Sequence, residues 1–589
     1  VRLGIDSGGT FTDVVAADGR VAKVASTPDD PARGVERAMA AVAERNDVDV
    51  LVHGTTVATN ALLERRGARV ALIATRGFAD EIEIARQVRP SLYDPFVDRP
   101  APLVPRELRF EVRERLDAHG RAIEPFDGRV PALPDGIDAI AVCLLHADLD
   151  PVHEREVAAA LRAARSELVV CSHDVSPEFR EYERMVTTVV EAYLEPVCAP
   201  YLDRLAALAP EVLAMTSAGG LVPVAESVRA AAALLLSGPA GGVRAAAEIA
   251  GACGFEDAVS FDMGGTSTDV CLVRARNPEP AAERVVAGLP IRLPALDVHT
   301  VGAGGGSIAR LDAGGALVVG PQSAGAVPGP ACYGRGGELP TVTDADLVLG
   351  RIDAGAAFPD LGRLDRGAAV RALERARVSA EGVVRVVDAA MERAVRAVTV
   401  ERGVDPRALA LVAFGGAGPL HACAIADALG MRAVVVPPRA GVCSAVGLLC
   451  APKAREIVRS YTGGSLPDAR AQVEREARER VGPDARVETM VDCRYVGQSH
   501  ELTVRTPDDF PAEHERRNGH VRPGAPVEVV AVRARASLAA PLRVADLPDV
   551  ERKPVTGPAV VAEADCTVWV PEGWRAEPRA LGAWVAERT

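Results

Sequence analysis

Apolar residues recur at alternate positions over Val1, Leu3 and Ile5, and a second short apolar block covers Ala258, Val259 and Phe261. Each block runs into a glycine-rich polar turn and then into another apolar block, residues 14–17 and 270–273. This pattern predicts strand, turn, strand at both places. Between them, Val35, Ala38, Met39 and Val42 stand at helical spacing, predicting a helix over 31–46. Strands are expected at 50–53 and 70–75 around a helix at 57–66, the alternation that builds a layered α/β lobe. Further strands are expected at 139–145, 213–217, 258–262, 410–414 and 434–436, and helices at 151–164, 177–205, 243–251 and 383–402. The 213–217 strand is assigned to a second lobe. From about residue 456 a charged helix leads into proline-rich β sequence, read as a third unit. The expected division is 1–185, 186–455 and 456–589.

The turns carry the chemistry. Asp6-Ser7-Gly8-Gly9-Thr10-Phe11-Thr12-Asp13-Val14 returns as Asp262-Met263-Gly264-Gly265-Thr266-Ser267-Thr268-Asp269-Val270. Two copies this far apart are not a solenoid repeat but equivalent units in two halves. Glycines let backbone amides converge on an anion, and threonine hydroxyls add donors. Gly8, Gly9, Thr10 and Thr12 are therefore the phosphate candidates of one half, and Gly264, Gly265, Thr266 and Thr268 those of the other. Hard divalent cations take oxygen ligands, so Asp6 and Asp262 are the candidates for holding Mg²⁺ and for catalysis. Asp13 and Asp269 end the loops and either join the site or fix the hairpins. Walker A chemistry is excluded, because the lysines are Lys23, Lys453 and Lys553 and none follows a glycine. Paired phosphate hairpins resemble the bilobed actin, Hsp70 and sugar-kinase ATPases, which implies an α/β fold clamping ATP between two lobes, here with an added β-rich C-terminal domain. Gly415-Gly416-Ala417-Gly418, between a strand and a helix, stands where such a fold places its adenosine loop.

Composition narrows the partners. A net charge of −14 argues against nucleic acid or an anionic membrane. No run of about 18 apolar residues occurs, and no leader is read before the first strand, so a cytoplasmic protein without a membrane span is expected. The eleven cysteines form no C-x-x-C pair, as expected of reduced thiols. His53, His299 and His421 each adjoin a glycine loop, and His299 is the catalytic candidate among them. The glycine run 302–306, with Gly304 and Gly305, is either a further backbone approach to phosphate or an inter-lobe turn. Arg180, Glu181, Glu183 and Arg184 read as a solvated helix face.

Several stretches together resemble the hydantoinase/oxoprolinase family, specifically its ATP-binding A-type subunit: residues 8–13, His53-Gly54-Thr55-Thr56-Val57-Ala58-Thr59-Asn60-Ala61, residues 176–184, Ser237-Gly238-Pro239-Ala240-Gly241-Gly242, residues 262–269, 299–307, 415–421, and Arg494-Tyr495-Val496-Gly497-Gln498-Ser499. The resemblance implies ATP-dependent activation, by phosphorylation, of a small cyclic amide of the hydantoin or 5-oxoproline kind for ring opening. Its alternative is ATP-dependent carboxylation of an acetone- or acetophenone-like ketone. It further implies ATP as cofactor and a B-type subunit as partner; Mg²⁺ is expected beside ATP from the two aspartates, and a homodimer is one expected form of assembly.

Overall fold

The computed structural model describes residues 1–27, 29–355 and 362–589. Two sheets of matching topology form its centre. In the first, Arg2–Ser7 pairs antiparallel with Phe11–Ala16, which pairs antiparallel with Val21–Ala25. On its other side Arg2–Ser7 runs parallel to Val50–Gly54, and that strand parallel to Glu211–Met215. The second repeats the scheme: Ala258–Met263 pairs antiparallel with Thr268–Arg274 and parallel with Ala410–Phe414, which runs parallel to Ala433–Val436. The parallel strands are buried on both faces and read as near-continuous apolar runs, as such strands must.

Glu211–Met215 thus belongs to the first sheet, not to the second lobe as expected, so the strands of the first half continue past residue 186. The helix Glu181–Ala206 leaves the first half and returns the chain to it. A separate four-stranded parallel sheet (Arg109–Val112, Val70–Thr75, Ala139–Cys143, Leu168–Cys171) is built from the sequence in between. Helices Ser237–Ala252 and Cys443–Cys450 cross between the lobes at van der Waals distance, where a Cβ on Gly447 would collide with the carbonyl of Gly241. Of the described helices, no single one is long and apolar enough to cross a membrane.

The C-terminal stretch expected as one unit is divided. Ala454–Ser460, Arg486–Tyr495, Leu502–Val504 and Val527–Ser537 form an antiparallel sheet around their own core of Val473, Ala477, Tyr495, Phe510 and Ala534. The chain then returns to the second lobe, where Trp584–Arg588 pairs with Ala433–Val436 and extends that sheet. Pairing an otherwise open edge removes unpaired backbone groups from solvent. Trp584 is buried, donates its indole N–H to the Lys553 carbonyl at 3.0 Å, and lies under the Arg552 guanidinium at 4.2 Å. Trp584→Ala is expected to destabilise the second lobe by about 3–5 kcal/mol, read from chemical unfolding, because a large buried aromatic leaves a cavity. An independent terminal module would leave the lobe unaffected.

Candidate active site

The two hairpins face each other tip to tip. Each turn is closed the same way, by the Gly8 amide donating to the Phe11 carbonyl and the Gly264 amide to the Ser267 carbonyl, both at 3.0 Å. A Cβ built on Gly265 would lie 2.7 Å from Thr10 Oγ1, and one on Gly9 3.5 Å from Thr266 Oγ1. Glycine is needed for this approach. Among the described residues, the amides of Gly9, Thr10, Gly265 and Thr266 donate to no protein acceptor, which leaves them free for an anion.

Behind the tips, strand register sets Asp6 directly across from Asp13 and Asp262 directly across from Asp269. Like charges opposite each other destabilise a sheet, so this arrangement calls for positive charge. Lys23 supplies some: its ammonium pairs with Asp13 Oδ1 at 2.6 Å and donates to the Gly441 carbonyl at 3.1 Å. Asp6 Oδ1 is buried with no hydrogen-bond partner. Burial lifts the Asp6 carboxyl well above the ordinary range, and the nearby Asp13 and Asp262 charges lift it further. Asp262 is pushed up to about 7 by burial and by Asp269, although the Ser444 hydroxyl donates to its Oδ2 at 3.0 Å. Burial takes Asp269 to about 6 against the opposing hydrogen bond from Thr300 Oγ1 at 2.5 Å. An orphaned buried carboxylate oxygen, among acids that have too few cations, fits a hard divalent cation.

The surrounding backbone keeps space for the carboxylates. Cβ atoms on Gly54 and Gly238 would each come within 2.8 Å of Asp6 Oδ1, and one on Gly415 (φ +81°) would strike Asp262 Oδ1. Gly238 and Ser444 are each the second residue of one of the two crossing helices, so a helix start faces each leading aspartate. Gly54-Thr55-Thr56 and Gly415-Gly416-Ala417 follow equivalent strands of the two sheets.

Other expected site residues fall differently. Gly416 is exposed at the cleft, whereas Gly418 is buried beside the Phe261 backbone. Thr12 Oγ1 lies 3.2 Å from Ser26 Oγ, and Thr268 Oγ1 donates to the Ala303 carbonyl at 2.7 Å, so both hydroxyls buttress their hairpins. Gly304 and Gly305 are buried against the outside of the second hairpin. The Gly305 amide donates to the Gly264 carbonyl at 2.9 Å, and a Cβ on Gly304 would come within 2.7 Å of that same oxygen. Close packing, not phosphate, explains these glycines. His299 is exposed on a short strand paired with Val270 and hydrogen-bonds no described side chain, so it does not join the carboxylates. His53 is a buried tie, with Nε2 2.5 Å from Tyr201 Oη and Nδ1 3.1 Å from the Ile5 carbonyl. His421 is buried between Asp388 and Asp346, whose charges outweigh the cost of burial and raise it to about 10. Lys23, Ser444, Gly54 and Gly238 were missed. The Ser237-Gly238-Pro239 start and the Gly54-Thr55-Thr56 loop were visible as motifs, but nothing local linked them to Asp6.

The raised carboxyls give a pH dependence with a definite sign. Unfolded aspartates titrate near 3.9, so between about pH 4 and 7 the folded protein holds more protons than the unfolded chain. Without divalent cation, stability is expected to fall as pH rises through this window, by up to about 1.4 kcal/mol per pH unit for each group, and to level off above it. Thermal unfolding in chelator across pH 4–8 checks this, and Asp262→Asn should flatten the slope.

Comparison with known proteins gives a consistent picture. The family described as "Hydantoinase/oxoprolinase N-terminal region" matches residues 2–164, and "Hydantoinase/oxoprolinase" matches residues 184–457. The caprolactamase subunit alpha of Pseudomonas jessenii is 34% identical, covering 98% of this chain and 97% of its own length. 5-Oxoprolinase 1 of Arabidopsis thaliana is 35% identical over 86% of this chain, which spans 46% of that protein. The crystal structure of ATP-dependent caprolactamase from Pseudomonas jessenii superposes over 100% of both chains with a TM-score of 0.83 and 30% identity.

Proposed function

Because the chain belongs to the hydantoinase/oxoprolinase family, we propose that it is the nucleotide-binding subunit of an ATP-dependent hydrolase that opens a small cyclic amide. The observation that carries this reading is the pair of opposed Asp-Gly-Gly-Thr hairpins, with free amides at the tips and facing aspartates behind them. The amides of Gly9, Thr10, Gly265 and Thr266 would hold phosphate oxygens. Gly416, with open space about it, leaves backbone free on the side where the nucleoside would lie. Asp6 and Asp262 would hold Mg²⁺, which neutralises phosphate charge when bound.

The chain's own groups prepare that site. Ser444 fixes the Asp262 carboxylate through one oxygen, and the other lies beside the Gly415 backbone. Lys23 keeps Asp13 paired, so the excess negative charge is concentrated on Asp6, Asp262 and Asp269. Amides are weak electrophiles, and transfer of a phosphoryl group to the carbonyl oxygen makes the carbon open to water. Positioning and charge neutralisation suffice for the transfer.

Among the described residues, none of the three loop histidines is placed to deliver that water. His299 faces solvent, while His53 and His421 are locked in buried hydrogen bonds or ion pairs. A B-type subunit would supply the second half of the reaction, in keeping with the name "subunit alpha" borne by the caprolactamase relative. The test measures ring opening and ADP release with caprolactam, 5-oxoproline and hydantoin, using the chain alone and with a co-expressed B-type subunit. Ring opening only in the two-subunit sample supports the reading. Full turnover by the isolated chain overturns the division of labour, and bicarbonate-dependent consumption of a ketone instead overturns the substrate class.

A further inference from the structure

Two motifs unused by the hairpin cleft meet elsewhere in the molecule. Residues 176–184 and 494–499, far apart in the chain, together line a cavity of about 720 Å³. Phe179, Arg180 and Arg184 come from the first motif, Arg494 and Ser499 from the second. This size suits a small molecule.

The guanidinium groups are held rigidly and keep donors to spare. Arg180, Arg292 and Arg494 surround the Phe179 ring at 5.3, 5.2 and 5.8 Å. Arg180 pairs with Glu501 at 2.6 Å, Arg184 with Asp148 at 2.5 Å, and Arg494 with Glu528 through Nε at 2.7 Å. Yet Nε of both Arg180 and Arg184 is buried without a hydrogen-bond partner. Among the described residues, the terminal nitrogens of Arg494 donate to nothing. Fixed guanidinium donors are the usual match for a carboxylate. The same cavity contains Glu181, whose carboxylate makes no ion pair or hydrogen bond to a described residue and is available to an ammonium group.

The cavity is well separated from the hairpins. The helix that begins at Glu181 reaches the first hairpin through Tyr201, His53 and the Ile5 carbonyl. Twenty residues of helix span about 30 Å, too far for phosphoryl transfer.

We propose that this cavity is a second small-molecule site, selective for a ligand bearing both a carboxylate and an amino group. An opened lactam carries that pair of groups. Only this choice of ligand rests on the proposed function; the site itself rests on the cavity, the spare guanidinium donors and Glu181.

Calorimetric titration of the full chain tests it with 6-aminohexanoate, glutamate, hexanoate and neutral caprolactam. One of the two amino acids should bind at one per chain and more tightly than caprolactam. Arg494→Gln should weaken that binding at least tenfold while leaving the thermal shift produced by Mg²⁺ and ATP unchanged. Glu181→Gln, which removes no hydrogen bond or ion pair to a described residue, should weaken the amino acid but not hexanoate. Absence of amino-acid binding to the wild-type chain overturns the proposal. So does unchanged affinity in Glu181→Gln, which decides the matter even where Arg494→Gln fails to fold. Amino-acid binding without lactam-dependent ATP turnover would sink the proposed function and leave this site standing.

Discussion

Asp262→Asn should reduce ATP turnover by about a hundredfold to a thousandfold and should at the same time raise the thermal stability of the cation-free protein. The two effects share one cause. Asp262 faces Asp269 across the hairpin, with both carboxyls lifted by burial. Removing one charge relieves repulsion in the empty site. The amide keeps the shape of the side chain and can still accept from Ser444 Oγ. In the proposed site it could no longer help hold a cation against phosphate charge, and losing one such electrostatic contact alone costs about 10²–10³ in rate. Stability stored as repulsion at a functional site is the usual trade between folding and activity. Phosphate release and unfolding temperature, measured on the same preparation, check both halves. A purely structural Asp262 would lower stability and leave turnover intact, and that outcome would remove it from the site. Asp6→Asn should behave alike, since Asp6 Oδ1 also waits unpaired.

The repeated hairpin was legible because its information is local. Nine consecutive residues fix the turn, the facing aspartates and the tip glycines, and the copy at 262–270 announces a second lobe. Long-range pairing was not legible. Glu211–Met215 is an apolar strand that would suit either lobe, and only its parallel neighbour Val50–Gly54 decides between them. The tail strand Trp584–Arg588 likewise finds the edge of Ala433–Val436 across about 150 residues, a choice no local pattern encodes. Gly304 and Gly305 misled because a glycine demanded by close packing looks in sequence like one demanded by a ligand. Here the neighbour is the Gly264 carbonyl.

Charge misled in the opposite way. Arginine and glutamate are almost never fully buried unless paired, so residues 180–184 read as a solvated face. Glu183 and Arg184 are in fact buried, tied to Arg86 and Asp148. The same mistake conceals the centre of the C-terminal contact. Arg533 lies in a strand of alternating pattern, yet its side chain is only 3% exposed. It pairs with Asp492 at 2.7 Å, with Glu456 at 3.3 Å and with Glu178 of the first lobe at 3.4 Å. Arg292, from the second-lobe sequence, joins Glu178 at 3.0 Å and Glu501 at 2.9 Å. One connected set of buried ions thus joins sequence from all three parts of the chain.

Arg533→Met should therefore be among the most destabilising single changes in the protein, at about 3–5 kcal/mol. Methionine fills much of the volume, so the loss comes from Asp492 and Glu178 left buried with too little positive charge. Desolvation already raises the Glu178 carboxyl, with Arg292 and Arg533 opposing it, so losing Arg533 pushes that group further toward its protonated form. The sign follows directly: the variant should be least unstable at low pH, where Glu178 accepts a proton, and should lose stability as pH rises toward neutrality. Adding Asp492→Leu to Arg533→Met should recover part of the loss, because exchanging a buried pair for apolar groups often costs little. Urea unfolding of the single and double variants between pH 5 and 8 measures this. A pH-independent loss that the double variant does not recover would mean that Arg533 acts by packing its aliphatic stem, and that the ion network is incidental to holding the C-terminal sheet against the first lobe.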